Sequence, residues 1–96
     1  MEFTVIDKTR RAISLNPKRY FHIVSNHPEV LNCFEEIKRI LRYPDTLLLP
    51  EFDNSIGYYY GHVKKRRKWG KYLKVVVKYL NGNGYIITIH FTNKLT

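Results

Sequence analysis

The chain has 96 residues, 44% hydrophobic and 15% aromatic, with 17 Lys and Arg against eight Asp and Glu for a net charge of +9. That length suits a single domain, residues 1–96, with one modest core, and no apolar run approaches the ~18 residues that span a bilayer. One cysteine, Cys33, allows no internal disulfide, and together with four scattered His it offers no zinc-site spacing.

In chain order, residues 2–6 and 12–15 read as short strands around the turn-like Asp7-Lys8-Thr9-Arg10-Arg11. Asn16-Pro17 is a helix start, with Asn as N-cap and Pro in the first turn. The spacing predicts a short helix to about Ser25, with Phe21, Ile23 and Val24 as its apolar content. Asn26 and Glu29 have capping-box spacing around Pro28 and predict a second helix. Val30, Cys33, Phe34, Ile37, Ile40 and Leu41 make its apolar stripe, and Pro44-Asp45 ends it. Thr46 to Leu49 and Ile56 to Val63 read as strands, followed by the basic connector Lys64-Lys65-Arg66-Arg67-Lys68-Trp69-Gly70.

The last segment, "YLKVVVKYLNGNGYIITIHFT", is a hairpin turning at Asn-Gly-Asn-Gly. Parity sorts it into a core set (Leu73, Val75, Val77, Tyr79 with Tyr85, Ile87, Ile89, Phe91) and an opposite face bearing Lys74, Lys78, Thr88, His90 and Thr92, with Val76 and Ile86. A three-residue turn, Asn81-Gly82-Asn83, sets Lys74 opposite His90 and Val76 opposite Thr88. The expected fold is α+β: an N-terminal short strand pair and two helices packed on one face of a four-stranded antiparallel sheet.

Charge is segregated along the chain. Residues 1–53 hold eight basic and eight acidic side chains, whereas residues 54–96 hold nine Lys or Arg and no Asp or Glu. Such a field favours a polyanion over a merely solvated surface. Tyr58-Tyr59-Tyr60 and Trp69 beside Lys64, Lys65, Arg66, Arg67, Lys68, Lys71 and Lys78 combine stacking surfaces with phosphate-binding charge, as single-stranded RNA requires. The N-terminus lacks the charged-then-apolar layout of a signal peptide, and with the lone thiol this points to a reducing cytoplasm and no membrane.

Amines, hydroxyls and an imidazole on one sheet face suit RNA phosphodiester chemistry, in which the 2′-hydroxyl is the nucleophile and no cofactor is needed. The basic half has no carboxylates for a two-metal site, so no metal is expected. Of the four histidines, His90 is best placed to meet a ligand. His22 also reads as an edge-of-core residue, His27 as a cap, and His62 as part of a solvated strand end.

The pieces "RRAISLNPKRYFHIVSNHPEV", "YPDTLL", "YLKVVVKY" and "GYIITIHFTNK" together resemble the phage-type barnase–EndoU–colicin–RelE (BECR) ribonuclease-like domains, in order and over nearly the whole chain. The resemblance implies a metal-independent endoribonuclease, a toxin or mobile-element effector, whose RNA is single-stranded or tRNA-like and whose protein partner is an acidic antitoxin or immunity protein. His22 matches the family's helix histidine, His27 its His-Pro-Glu histidine, Lys74 the basic residue of the penultimate strand and Thr88 the hydroxyl of the last. His90 stands where the family pattern has an aromatic, and "HVKKRRKWGK" is longer and more basic than the pattern. On this reading Lys74 stabilises transition-state charge, Thr88 positions phosphate, His22 and His90 transfer protons, and Tyr60 contacts phosphate or base. The rival readings are a non-catalytic RNA-binding module and a structural partner in a virus or mobile-element particle.

Overall fold

The computed structural model describes residues 2–95. Strands β1 (Phe3–Ile6) and β2 (Ala12–Leu15) pair antiparallel across a tight turn whose Arg10 takes a left-handed φ of 69°. The turn is organised by Asp7, a buried carboxylate that accepts from the backbone N–H groups of Thr9 and Arg11 at 3.0 and 2.9 Å. Burying a charge is costly unless it is fully hydrogen-bonded. Asp7 completes its set with the hydroxyl of Tyr59, which in turn lies 2.8 Å from that of Tyr79. Burial, with the Asp7 and Tyr79 bonds adding to it, pushes the Tyr59 phenol far above its ordinary value.

The α1 helix (Pro17–Asn26) begins as its sequence dictates, with Asn16 Oδ1 accepting from the Arg19 N–H at 2.7 Å. Its inward stripe is Tyr20, Ile23 and Val24; Phe21, expected as apolar content, is 74% exposed. The capping box at Asn26 does not start a continuous helix. Pro28–Val30 makes a single 3-10 turn, Asn32 reverses the chain at φ 64°, and α2 runs from Phe34 to Arg42. A left-handed residue breaks the hydrogen-bond ladder, and Asn tolerates it better than most. Val30, Cys33, Ile37, Ile40 and Leu41 still face the core.

The remaining strands are β3 (Thr46–Leu48), β4 (Ile56–Gly61), β5 (Tyr72–Tyr79) and β6 (Asn83–Thr92), joined to β1 and β2 in one six-stranded sheet of order β1-β2-β6-β5-β4-β3. The architecture is α+β, but the expected four-stranded antiparallel sheet with a separate strand pair is corrected. The β2 strand adds parallel to β6 through Ala12–Ser14 against Asn83–Tyr85 and makes the sheet mixed. Past Tyr85 the outer edge of β6 has no strand partner among the described residues. There α1 and the 28–30 turn pack along it, and Arg19 Nη1 donates to the Ile87 carbonyl at 3.4 Å.

The hairpin register is as expected at Lys74↔His90 and Val76↔Thr88, by a different route. The turn is a residue shorter, closed by Leu80 N–H to Asn83 carbonyl at 2.7 Å, with Gly82 at φ 77°. A bulge at Ile87 restores the count, so that Val77 pairs with Ile86 and Lys78 with Tyr85. Tyr85 and Ile86 therefore exchange their expected faces: Ile86 is buried in the core and Tyr85 is exposed. The core lies between α2 and the Leu73, Val75, Val77, Ile86, Ile89 face, with Ile23 of α1 at its margin. Gly61 is required there, because a Cβ would run into the Ile40 side chain. Among the described residues no helix is long and apolar enough to cross a membrane.

The bulge sets a test. Ile86→Ala should destabilise the domain by about 2–5 kcal/mol through a core cavity, while Tyr85→Ala should cost roughly 0.5 kcal/mol or less. Equal costs in chemical denaturation would place both residues on the same kind of surface and remove the bulge.

Candidate functional site

The sheet face turned away from α2 is organised in cross-strand rows. Leu48, Tyr58, Val76 and Thr88 form one, Thr46, Tyr60, Lys74 and His90 the next, and Tyr72 with Thr92 a third. Lys74 and His90 are half-buried, and Val76 and Tyr60 are buried although they lie on this outer face. The face is thus a packed platform rather than a wetted floor.

Aromatic rings supply the packing. The Lys74 ammonium sits 4.0 Å from the Tyr58 ring centroid and 5.6 Å from that of Tyr60, and the Tyr60 and Tyr72 rings meet edge to face at 6.0 Å. A cation over an aromatic face recovers part of what desolvation costs. Burial lowers the Lys74 pKa from its ordinary value.

His90 meets a second imidazole. The ring of His27, delivered where α1 ends alongside β6, lies 5.4 Å from the His90 ring centre to centre. His27 Nδ1 is 3.6 Å from Glu29 Oε2. Burial, then the nearby Lys74 charge, then His27, lower the His90 pKa, with Glu29 opposing them. A neutral His90 imidazole is therefore favoured at this row near neutral pH, which supplies a proton acceptor beside the Lys74 amine.

Of the residues expected in the site, the fold gathers Lys74, His90 and His27, with Thr88 one row away. His22 lies elsewhere, on the exposed side of α1, where its Nε2 is 3.4 Å from Asn26 Nδ2 and it lines a shallow cavity with Asn16, Lys18 and Arg19. Tyr60 has no exposed surface, so the contact with phosphate or base expected of it is closed off in this arrangement. Among the basic residues, Lys64, Lys65, Arg67, Lys68 and Lys71 are exposed, and Trp69 is 49% exposed with Lys68 Nζ 5.3 Å from its ring. Arg66 is instead a staple, donating to the carbonyls of Glu29 and Leu31 at 3.1 and 3.5 Å. Lys78 is held by Ser55 Oγ at 2.6 Å and Asp53 Oδ2 at 3.7 Å.

Tyr58 and Tyr72 share the parity of Lys74's face, a signal present in the alternation of β4 and β5. Glu29 and Asp45 carry no such signal, since each reaches the face through a tertiary contact. Among the described residues no three His, Cys, Asp or Glu side chains are grouped as metal ligands. No family model, curated protein or solved structure matches the chain.

The His90 shift has a sign that can be checked. With the folded pKa below the unfolded value of about 6.5, the unfolded chain takes up the proton first. Stability is full above about pH 6.5 and falls as the pH drops through that value toward the folded pKa. His90→Phe should remove this contribution and Lys74→Met should shrink it. Denaturation curves taken between mildly acidic and neutral pH measure both, and a His90→Phe profile that declines as steeply as wild type would show that His90 is not the group responsible.

Proposed function

We propose that this chain is an RNA-acting domain of the cytoplasm, a metal-independent endoribonuclease that cleaves through the 2′-hydroxyl. The observation that carries the proposal is the Lys74–His90 cross-strand pair with the His27 ring 5.4 Å from His90. Neutral His90 takes the proton of the 2′-hydroxyl as its oxygen attacks the adjacent phosphorus. The P–O5′ bond breaks, and His27 in its protonated form returns a proton to the departing oxygen. Products are a 2′,3′-cyclic phosphate and a 5′-hydroxyl. Lys74 stabilises the charge that builds on the non-bridging oxygens, and Thr88 positions the phosphate. His27 takes the acid role here because His22 stands on a different surface.

The motif resemblance to BECR domains supports the same chemistry and adds a toxin or effector role, with an acidic antitoxin as the protein partner for a face of this charge. A second reading, a binding module without catalysis, is favoured by one observation: Lys64, Lys65, Arg67 and Lys68 are exposed around a half-exposed Trp69. That surface serves binding whether or not cleavage follows.

Incubation with total RNA in EDTA should yield fragments with 2′,3′-cyclic phosphate ends, while DNA is bound and left intact. Lys74→Ala and His90→Ala should each slow cleavage by roughly a hundred- to ten-thousand-fold. Wild-type rates in both variants, or strict dependence on added magnesium, would leave the binding module as the better account.

Neutralising Lys64, Lys65, Arg67 and Lys68 should weaken RNA binding and flatten its salt dependence by roughly 0.7 in log–log slope per lost phosphate contact. Arg66 is left in place in this variant because its role is to hold the 28–31 segment. A salt slope equal to wild type would assign those four charges to solvation alone.

A further inference from the structure

Beyond the Lys74–His90 row, the same face ends in a fixed imidazole that the cleavage chemistry does not use. His62 follows β4 by one residue, and Asp45 Oδ2 accepts from both its Nδ1, at 2.7 Å, and its backbone N–H, at 3.2 Å. Arg39 Nη2 donates to the His62 carbonyl at 2.8 Å, so the residue is pinned at main chain and side chain alike. The Tyr72 ring packs against the imidazole at 5.0 Å between centres, tilted by 50°. Despite these restraints the side chain keeps 47% of its surface exposed.

We propose that His62 is the stacking platform of a nucleotide subsite, which holds a base of single-stranded RNA flanking the row where cleavage is proposed. The inference rests on the reading of this face as an RNA surface and adds a residue to it. Three features favour a base over a merely solvated histidine. The ring is preorganised by Asp45 and Tyr72, so little side-chain entropy remains to be lost on stacking. It continues the row carrying Tyr72, adjacent to Lys74 on the same strand, which sets it one step along the sheet face from the proposed cleavage centre. It also borders a groove of about 470 Å³ in which four basic side chains, Arg39, Lys64, Lys65 and Arg66, outnumber the two acidic ones, Glu36 and Asp45, giving the attached phosphate a place to lie. Asp45 and Tyr72 are positioning residues; His62 makes the contact. Stacking needs only a flat face, so the subsite is tolerant of base identity.

The test uses the full chain and a short 2′-O-methylated single-stranded RNA, which binds but lacks the nucleophile for cleavage. His62→Ala should weaken binding roughly 5- to 100-fold, the range for loss of one base stack. His62→Phe keeps a flat ring and should bind within a few-fold of wild type, and Asp45→Ala should fall between them by freeing the ring. Melting curves should be unchanged in all three, since both side chains are about half exposed. Binding by His62→Ala equal to wild type, or His62→Phe as weak as His62→Ala, overturns the stacking subsite alone. A wild-type chain that fails to bind the probe overturns the subsite together with the RNA reading of the face. Wild-type binding that depends on His62 but comes with no cleavage of ordinary RNA leaves the subsite standing and removes the nuclease.

Discussion

One extra residue in β6 determines what each face of this sheet can do. Ile87 has no partner on β5, and the strand on either side of it runs in opposite phase. Toward the turn, Ile86 points into the core; toward the C-terminus, Ile89 does, and Thr88, His90 and Thr92 are left on the outer face. Without the bulge, the two-residue turn at Asn81-Gly82 would carry its register down the whole hairpin. His90 would then no longer sit directly across from Lys74. A bulge disrupts the ladder locally, and the carbonyl of the bulged residue, Ile87, accepts from Arg19 of α1. The helix that covers the open edge of β6 therefore also contacts the irregularity that sets its register.

That edge is also how the outer face acquires groups from the first half of the chain. Because β2 pairs with only the first three residues of β6, α1 follows β6 closely enough for its last turn to bring His27 beside His90. The sheet supplies Lys74 and His90 by strand parity; the edge supplies His27 and Glu29 by packing. A fully paired β6 would have excluded both. The buried Asp7 cluster holds the β1–β2 turn against Tyr59 and Tyr79, and so keeps β2 where it ends β6's pairing.

Strand alternation is local, and it is enough to identify β5 and β6 and to put Lys74, His90, Tyr58 and Tyr72 on one face, whereas the pairing of Lys74 with His90 also needs the shortened turn and the bulge at Ile87. The Asn16-Pro17 helix start is equally local and forms with the expected cap. Features that depend on distant partners are not written in any window. A parallel β2–β6 pair three residues long has no periodicity of its own, and the break at Asn32 overrides a helical stripe that runs from Val30 to Leu41. Arg66 reads as one of five equivalent cations, yet its guanidinium reaches the carbonyls of Glu29 and Leu31. Lys78 shares Lys74's parity but meets Asp53 and Ser55 across the strand from Ile56.

The sequence's separation of charge into a neutral half and a basic half does not survive folding intact, and this matters for the electrostatics of the central row. Left to Lys74 and to burial alone, His90 would be driven toward neutrality without opposition. Glu29, from the neutral half, is the group that opposes this, and it also lies 3.6 Å from His27 Nδ1. The backbone carbonyl of the same residue accepts from Arg66 Nη1 at 3.1 Å. A residue of the basic run thereby anchors the main chain of the segment that carries Glu29. Lysine at position 74 fits the same balance: a desolvated ammonium can shift its pKa and act as a compact charge, whereas an arginine there would stay fully charged and spread flat over Tyr58. The row thus holds one tunable cation, two imidazoles and one counter-charge, each brought from a different element, and the strengths with which they oppose one another decide where the protons sit.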